Sequence, residues 1–208
     1  MNIGIDVDGV LLEKCNFQIE EGTKFFNKRV INSKEYDIKK IFDISSLEYN
    51  KFWDVKIKEY IERPSIKYAS EVIYKLKERG HKIYIITARG TATKNYTDTV
   101  DDDYMKTYLI KWLEMNNIYY DEVIFTSDGK VNDINKYKIN YMIEDKPENI
   151  IEISEVTNVI KYSSLYNLNV VGKNIIEAYS WYDILKIIEK NWFITNKKYL
   201  LLFLKLDV

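Results

Sequence analysis

A chain of 208 residues has room for one sizeable hydrophobic core, with or without a small inserted subdomain, but is short for two full domains. Charged residues make up 30% and apolar residues 46%, which argues against a disordered chain. The charges nearly cancel at a net of -1, which argues against a protein that grips a nucleic-acid polymer by bulk positive charge, so any phosphate-bearing ligand has to be held by local groups.

The chain opens on Met1-Asn2-Ile3-Gly4-Ile5-Asp6, with acid where a secretory signal needs a basic start and a long apolar run. Together with a lone cysteine, Cys15, which forms no disulfide within one chain, this points to a cytoplasmic protein. Ile3 to Val7 reads as a buried first strand. The stretch from Leu11 to Glu62 is too long for a simple crossover and carries apolar sets of its own, among them Phe25 and Phe26, Ile38 and Ile41, and Phe52, Trp53, Ile57, Tyr60 and Ile61. It is expected to form a small helical cap over residues 11–62, with residues 1–10 and 63–208 forming the core. No Pro/Gly-rich linker interrupts the chain, so the insertion is expected to sit close on that core.

Ser65 to Arg79 follows Pro64, places Ile66, Ala69, Val72, Ile73 and Leu76 on one face and stops at Gly80, which predicts a helix. It delivers the chain into a strand at Lys82 to Thr87. Asp101 to Asn116 is a second predicted helix, with an acidic first turn that suits the helix dipole. Further strands are expected at Glu122 to Thr126, Asn140 to Glu144 and Asn158 to Lys161. Apolar runs alternating with helical patterns imply an α/β fold on a mainly parallel sheet. The apolar run Tyr199 to Leu206 falls far below the roughly 18 to 20 residues that span a bilayer, so a terminal strand or packed helix is expected and no membrane partner.

The chemistry concentrates at strand ends. In Ile5-Asp6-Val7-Asp8-Gly9, alternation places two carboxylates on one side of a strand, roughly 6 to 7 Å apart if the strand continues regularly. At an effective dielectric near 20, two such charges repel by about 2.5 kcal/mol, which a cation or a shared proton relieves. A solvated turn after a strand has the same composition. Thr87, at the end of Ile83-Tyr84-Ile85-Ile86-Thr87, stands where open α/β sheets place ligands, and its hydroxyl and the Ala88 amide can donate to a phosphoryl oxygen. Glu144-Asp145 closes another apolar run and offers the oxygen ligands that Mg²⁺ prefers, although an acid ahead of Pro147 also suits a helix N-cap. Lys130, between these elements, can neutralise charge on a phosphoryl group.

Acid pair, threonine, lysine and acid pair, in that order at successive strand ends, resemble the four motifs of the haloacid dehalogenase (HAD) superfamily. More narrowly, Thr87-Ala88-Arg89 and Glu144-Asp145-Lys146-Pro147-Glu148-Asn149 resemble bacterial nucleotidases related to cytosolic 5'(3')-deoxyribonucleotidases. The likeness runs to about Lys190 and takes in Tyr36-Asp37 and Ser180-Trp181. It implies a HAD-like doubly wound, mainly parallel sheet flanked by helices, with a small helical cap inserted after the first strand. It further implies a phosphomonoester hydrolase in which Asp6 attacks phosphorus and Asp8 protonates the leaving oxygen and then activates water. Mg²⁺ would be held by the Asp6 carboxylate, the Asp8 carbonyl and Asp145, with Glu144 acting through water, while Thr87, Ala88 and Lys130 hold the phosphoryl oxygens. Glu144 departs from the Asp usual at that place.

The substrate expected from this resemblance is a small phosphomonoester, a nucleoside or deoxynucleoside monophosphate first and a sugar phosphate second. A phospho-receiver module uses similar residues but is near 120 residues long and carries its aspartate on the third strand, which here ends Phe125-Thr126. A non-catalytic binding protein would not need every one of these positions filled. His81 is expected to be exposed at a strand entrance, Asp101-Asp102-Asp103 to serve a helix start, and the scattered tyrosines to serve packing and not base stacking.

Overall fold

The computed structural model describes residues 1–190; the apolar run near the C-terminus lies outside the described residues. Six strands form one parallel sheet: β1 (Asn2–Ile5), β2 (Lys82–Thr87), β3 (Glu122–Phe125), β4 (Tyr141–Glu144), β5 (Asn158–Tyr162) and β6 (Ile175–Ala178). They run in the order β3-β2-β1-β4-β5-β6. Ile3 registers with Ile83 on one side and Tyr141 on the other, so β1 is central and the strand order reverses beside it. That reversal opens a crevice at the carboxyl ends of the strands. This is the doubly wound parallel architecture expected from the sequence.

Parallel strands covered on both faces have to be apolar throughout, and Ile3, Ile5, Ile83, Ile85, Ile143 and Ile160 are all fully buried. Helix α4 (Ala69–Glu78) covers the sheet with Ala69, Val72, Ile73 and Leu76. It begins four residues later than its pattern suggests, because Tyr68 adopts a left-handed φ of 69° and breaks the first turn. Helix α5 (Asp102–Met115) starts where its acidic run predicts: the Asp101 carboxylate accepts from the Tyr104 amide at 2.7 Å, and Asp102 from the Thr93 amide at 2.8 Å. Helices α6 (Val131–Lys136) and α7 (Pro147–Ser154) follow β3 and β4. His81 is buried, not exposed, at 4% accessibility; it faces the Met1 amino group at 3.4 Å, and burial lowers its pKa to about 4.

Between β1 and α4 the chain forms three helices, α1 (Cys15–Phe26), α2 (Ile38–Phe42) and α3 (Ser46–Ile61). Helix α3 is started by a capping box in which Ser45 and Glu48 satisfy each other's backbone amides. Its inner face, Phe52, Trp53, Ile57, Tyr60 and Ile61, meets Phe17 of α1, with Phe17–Tyr60 ring centroids 4.9 Å apart. These side chains belong to the same continuous apolar cluster as the sheet, so the insertion is packed directly on it. Residues 181–190 are helical, and Trp181 donates its indole N–H to the Val10 carbonyl at 3.3 Å.

Candidate active site

Strand β1 ends at Ile5, and the Asp6 amide extends the ladder by one bond, to the Ile143 carbonyl at 3.0 Å. Past it the chain turns sharply: the amides of Val10, Leu11 and Leu12 all converge on the Val7 carbonyl. Gly9 makes this turn possible with φ +93°. A Cβ there would stand 1.8 Å from Asp145 Oδ2, so glycine is required both by the backbone and by the neighbouring carboxylate.

The carboxylates of Asp6, Glu144 and Asp145 are all buried and bring one oxygen each within 4.8 Å of one another. Lys130, from the turn between β3 and α6, reaches into this cluster and donates to Asp6 Oδ1 and Glu144 Oε2, both at 2.6 Å. Burial penalises this ammonium, but the two carboxylates outweigh it and hold its pKa above the ordinary lysine value. Glu144 is saturated: besides Lys130 it accepts from the backbone amides of Asp145 and Lys146 at 3.0 and 3.1 Å, and from Asn149 Nδ2 at 3.2 Å. Burial alone would raise its pKa, yet Lys130 and these donors hold it below the usual carboxylate range.

Asp145 is the opposite case. Its Oδ2 accepts from the Tyr166 hydroxyl, while its Oδ1 is buried and has no hydrogen-bond partner among the described residues. Burial, then Glu144 and Asp6, push its pKa well up. The Asp6 pKa is pushed up to about 7, by burial first and then by Glu144 and Asp8, against the pull of Lys130. A buried, unpaired carboxylate oxygen beside two further carboxylates is costly as it stands and is what a hard divalent cation satisfies. The residues present therefore fit a divalent cation. Asp145 does not cap α7; that position is taken by Lys146.

The Asp8 carboxylate is not part of the acidic cluster. It is clamped by the buried Arg89, whose Nε donates to Oδ2 at 3.2 Å and whose Nη2 donates to Oδ1, and it accepts from the Tyr60 hydroxyl of α3 at 2.7 Å. Burial works against the charged form, but Arg89 prevails and leaves the Asp8 pKa lowered. Thr87 is buried at the end of β2, where its Oγ1 accepts from the Arg89 amide at 3.1 Å. Asp6, Asp8, Thr87, Ala88, Lys130 and Glu144 all line one cavity of about 290 Å³.

The far wall of that cavity comes from outside the motifs. Tyr49, Trp53, Ile57 and Tyr60 of α3 face it, with Tyr36, Tyr96 and Met105. Two tyrosines do more than pack, since the Tyr60 and Tyr166 hydroxyls donate to Asp8 and Asp145. Lys14 also lines the cavity, its ammonium 3.6 Å from the centre of the Tyr36 ring. Arg89, Tyr60, Lys14 and Tyr166 carry no sequence signal of their own. Arg89 falls inside the Thr87-Ala88-Arg89 motif, which is the one hint at it.

No family model matches the chain. It is 27% identical over 195 residues to a nucleotidase of Clostridium acetobutylicum, an alignment that covers 91% of this chain and 94% of the relative. Among solved structures it superposes on a predicted phosphoglycolate phosphatase of Haemophilus somnus with a TM-score of 0.58 at 15% identity, covering 89% of this chain and 96% of the other. A HAD-superfamily hydrolase, subfamily IA, of Geobacter sulfurreducens gives 0.54 at 11% identity, covering 89% and 98%. The D,D-heptose 1,7-bisphosphate phosphatase of B. bronchiseptica, complexed with magnesium and phosphate, gives 0.53 at 8% identity, covering 91% and 98%. Among the described residues no helix is long and apolar enough to cross a membrane. The chain thus has the fold of solved HAD-superfamily hydrolases and is similar over nine-tenths of its length to a nucleotidase.

Proposed function

We propose that the chain is a Mg²⁺-dependent phosphomonoester hydrolase that works through an aspartyl phosphate on Asp6 and acts on nucleoside or deoxynucleoside monophosphates. The observation that carries this reading is the unpartnered, buried Oδ1 of Asp145 in one carboxylate cluster with Asp6, which lines a cavity together with Asp8 and Lys130.

Asp6, Asp145 and the backbone at Asp8 would hold the cation, which supplies positive charge against the phosphoryl oxygens. Glu144 has its lone pairs committed to four donors and so acts from behind, fixing Lys130 and the turn into α7. In the first step an Asp6 oxygen bonds to phosphorus as the ester P–O bond breaks, and the departing oxygen takes a proton from Asp8. In the second, water attacks the aspartyl phosphate, gives a proton back to Asp8 and releases Asp6 and inorganic phosphate. Lys130, Thr87 and the Ala88 amide donate to the phosphoryl oxygens in both steps.

The insertion over residues 11–62 serves as the cap that reads the leaving group. Tyr49, Trp53 and Tyr96 give the cavity an aromatic wall suited to a planar base, and this supports a nucleotide over a sugar phosphate. The test is phosphate release from a panel of nucleotides and sugar phosphates, with Mg²⁺ and with EDTA. Release from nucleoside monophosphates, abolished by EDTA and by Asp6→Asn in a folded protein, is expected. Release confined to sugar phosphates refutes the substrate assignment, and full activity of Asp6→Asn refutes the nucleophile.

A further inference from the structure

The loop between β5 and β6, residues 163–174, has no part in the four motifs, yet it makes the closest contacts to Asp145. The Tyr166 hydroxyl donates to Asp145 Oδ2, and Asn167 Nδ2 donates to the Asp145 backbone carbonyl at 2.7 Å and to the Tyr162 carbonyl at 2.9 Å. The loop is itself fastened from below by a fully buried cation. Lys161 Nζ donates to the carbonyls of Asn167 and Val170 at 3.2 and 3.1 Å, and pairs with Glu177 at 2.9 Å. Burying a lysine is expensive, so a lysine spent on holding two loop carbonyls marks a loop whose position matters.

A carboxylate has two oxygens, and fixing one fixes the direction of the other. With Oδ2 held by Tyr166 and the carbonyl held by Asn167, the free Oδ1 of Asp145 is directed without any contribution from a cation. From these contacts the geometry points to Tyr166 as a positioning residue that presets Asp145 for the divalent cation and thereby sets the affinity of the site for it. Resting on the Mg²⁺ reading of the acidic cluster, this adds to it a residue outside the cluster, carried on a separate loop. Tyr36 lies edge-on to Tyr166, with ring centroids 5.1 Å apart, so the same tyrosine is also in contact with the inserted segment.

Calorimetric titration of the full chain with MgCl₂, native and as Tyr166→Phe, tests the assignment. Removing one hydroxyl keeps the ring packing and deletes only the donor. The Mg²⁺ Kd is expected to rise about ten- to a hundredfold, as for other partners that orient a metal ligand. The phosphatase rate of the variant at saturating Mg²⁺ should recover most of the native value, because the residue orients a ligand and does not touch the reacting atoms. Native Mg²⁺ affinity in a folded Tyr166→Phe protein overturns the assignment while leaving the metal site standing. No Mg²⁺ binding by the native chain overturns both. Hydrogen exchange of residues 163–174 in the native protein gives a measurement that needs no variant: slower exchange on adding Mg²⁺ is expected, and unchanged exchange counts against the coupling.

Discussion

Replacing Lys130 by Met is the sharpest probe of the buried charge cluster. The ammonium lies 2.6 Å from both Asp6 Oδ1 and Glu144 Oε2, and the three side chains are 5%, 9% and 0% exposed. Methionine keeps most of the volume but leaves two buried carboxylates facing each other with no cation between them. Removing one partner of such a buried pair costs about 3–5 kcal/mol. For a chain of this size that corresponds to a fall in Tm of about 6–20 °C. The measurement is calorimetric unfolding in EDTA at pH 8, where Asp6 is ionised, repeated with excess Mg²⁺. A divalent cation supplies part of the missing charge, so Mg²⁺ should raise the Tm of Lys130→Met more than that of the native protein. Adding Glu144→Gln removes one of the stranded charges, so the double variant should be more stable than the simple sum of the two losses, by about 0.5–3 kcal/mol. A Lys130→Met protein that melts with the native one in EDTA would show that the two carboxylates are not both charged, and the electrostatic account of the site would fall.

Gly9→Ala places a Cβ 1.8 Å from Asp145 Oδ2 and 2.4 Å from its Cγ, on a backbone at φ +93° that costs an alanine roughly 1–2 kcal/mol. Loss of Mg²⁺ binding by calorimetry, in a protein that still unfolds cooperatively, is expected; native affinity contradicts the close approach. Arg89→Met removes the cation that holds the Asp8 pKa down, so Asp8 keeps its proton to higher pH, and the basic limb of the kcat–pH profile, which reports loss of the proton given to the departing oxygen, should move to higher pH. An unmoved limb would separate Asp8 from that ionisation. The Asp6 pKa, raised to about 7 by burial, predicts the pH dependence of the metal-free protein. Between the unfolded value near 3.9 and about 7 the folded state holds a proton that the unfolded state has released, so stability falls as pH rises through that window. Chemical denaturation in EDTA from pH 4 to 8 should show this decline, and Mg²⁺ should flatten it.

Five of the six strands can be read from their Ile-, Val- and Phe-rich runs, most plainly the central ones, where cover on both faces leaves no polar positions. The sixth, Ile175–Ala178, is a four-residue edge strand containing Glu177, and its partly exposed pattern resembles a loop. Asp6, Thr87, Lys130, Glu144 and Asp145 were legible because motif order along the chain maps directly onto adjacent strand ends in a parallel sheet. What stayed illegible was pairwise: Arg89 meets Asp8 across 81 positions, Tyr60 meets it across 52, and Tyr166 meets Asp145 from a loop whose sequence has no distinctive spacing. The strand after Ile5 does not continue regularly, and that is why Asp8 turns toward arginine while Asp6 turns toward lysine. The burial of His81 was missed for a related reason, since its neighbour Met1 lies 80 positions away in the sequence.

The hydroxyl that reaches Asp8 from Tyr60 belongs to the inserted segment, not to the sheet. Any outward swing of α3 has to break that hydrogen bond and leave the Asp8 carboxylate without its Tyr60 donor. In the proposed reaction, release of the alcohol and the proton affinity of Asp8 would thereby be tied together, and the acidity of a single side chain would report the position of the roof above it.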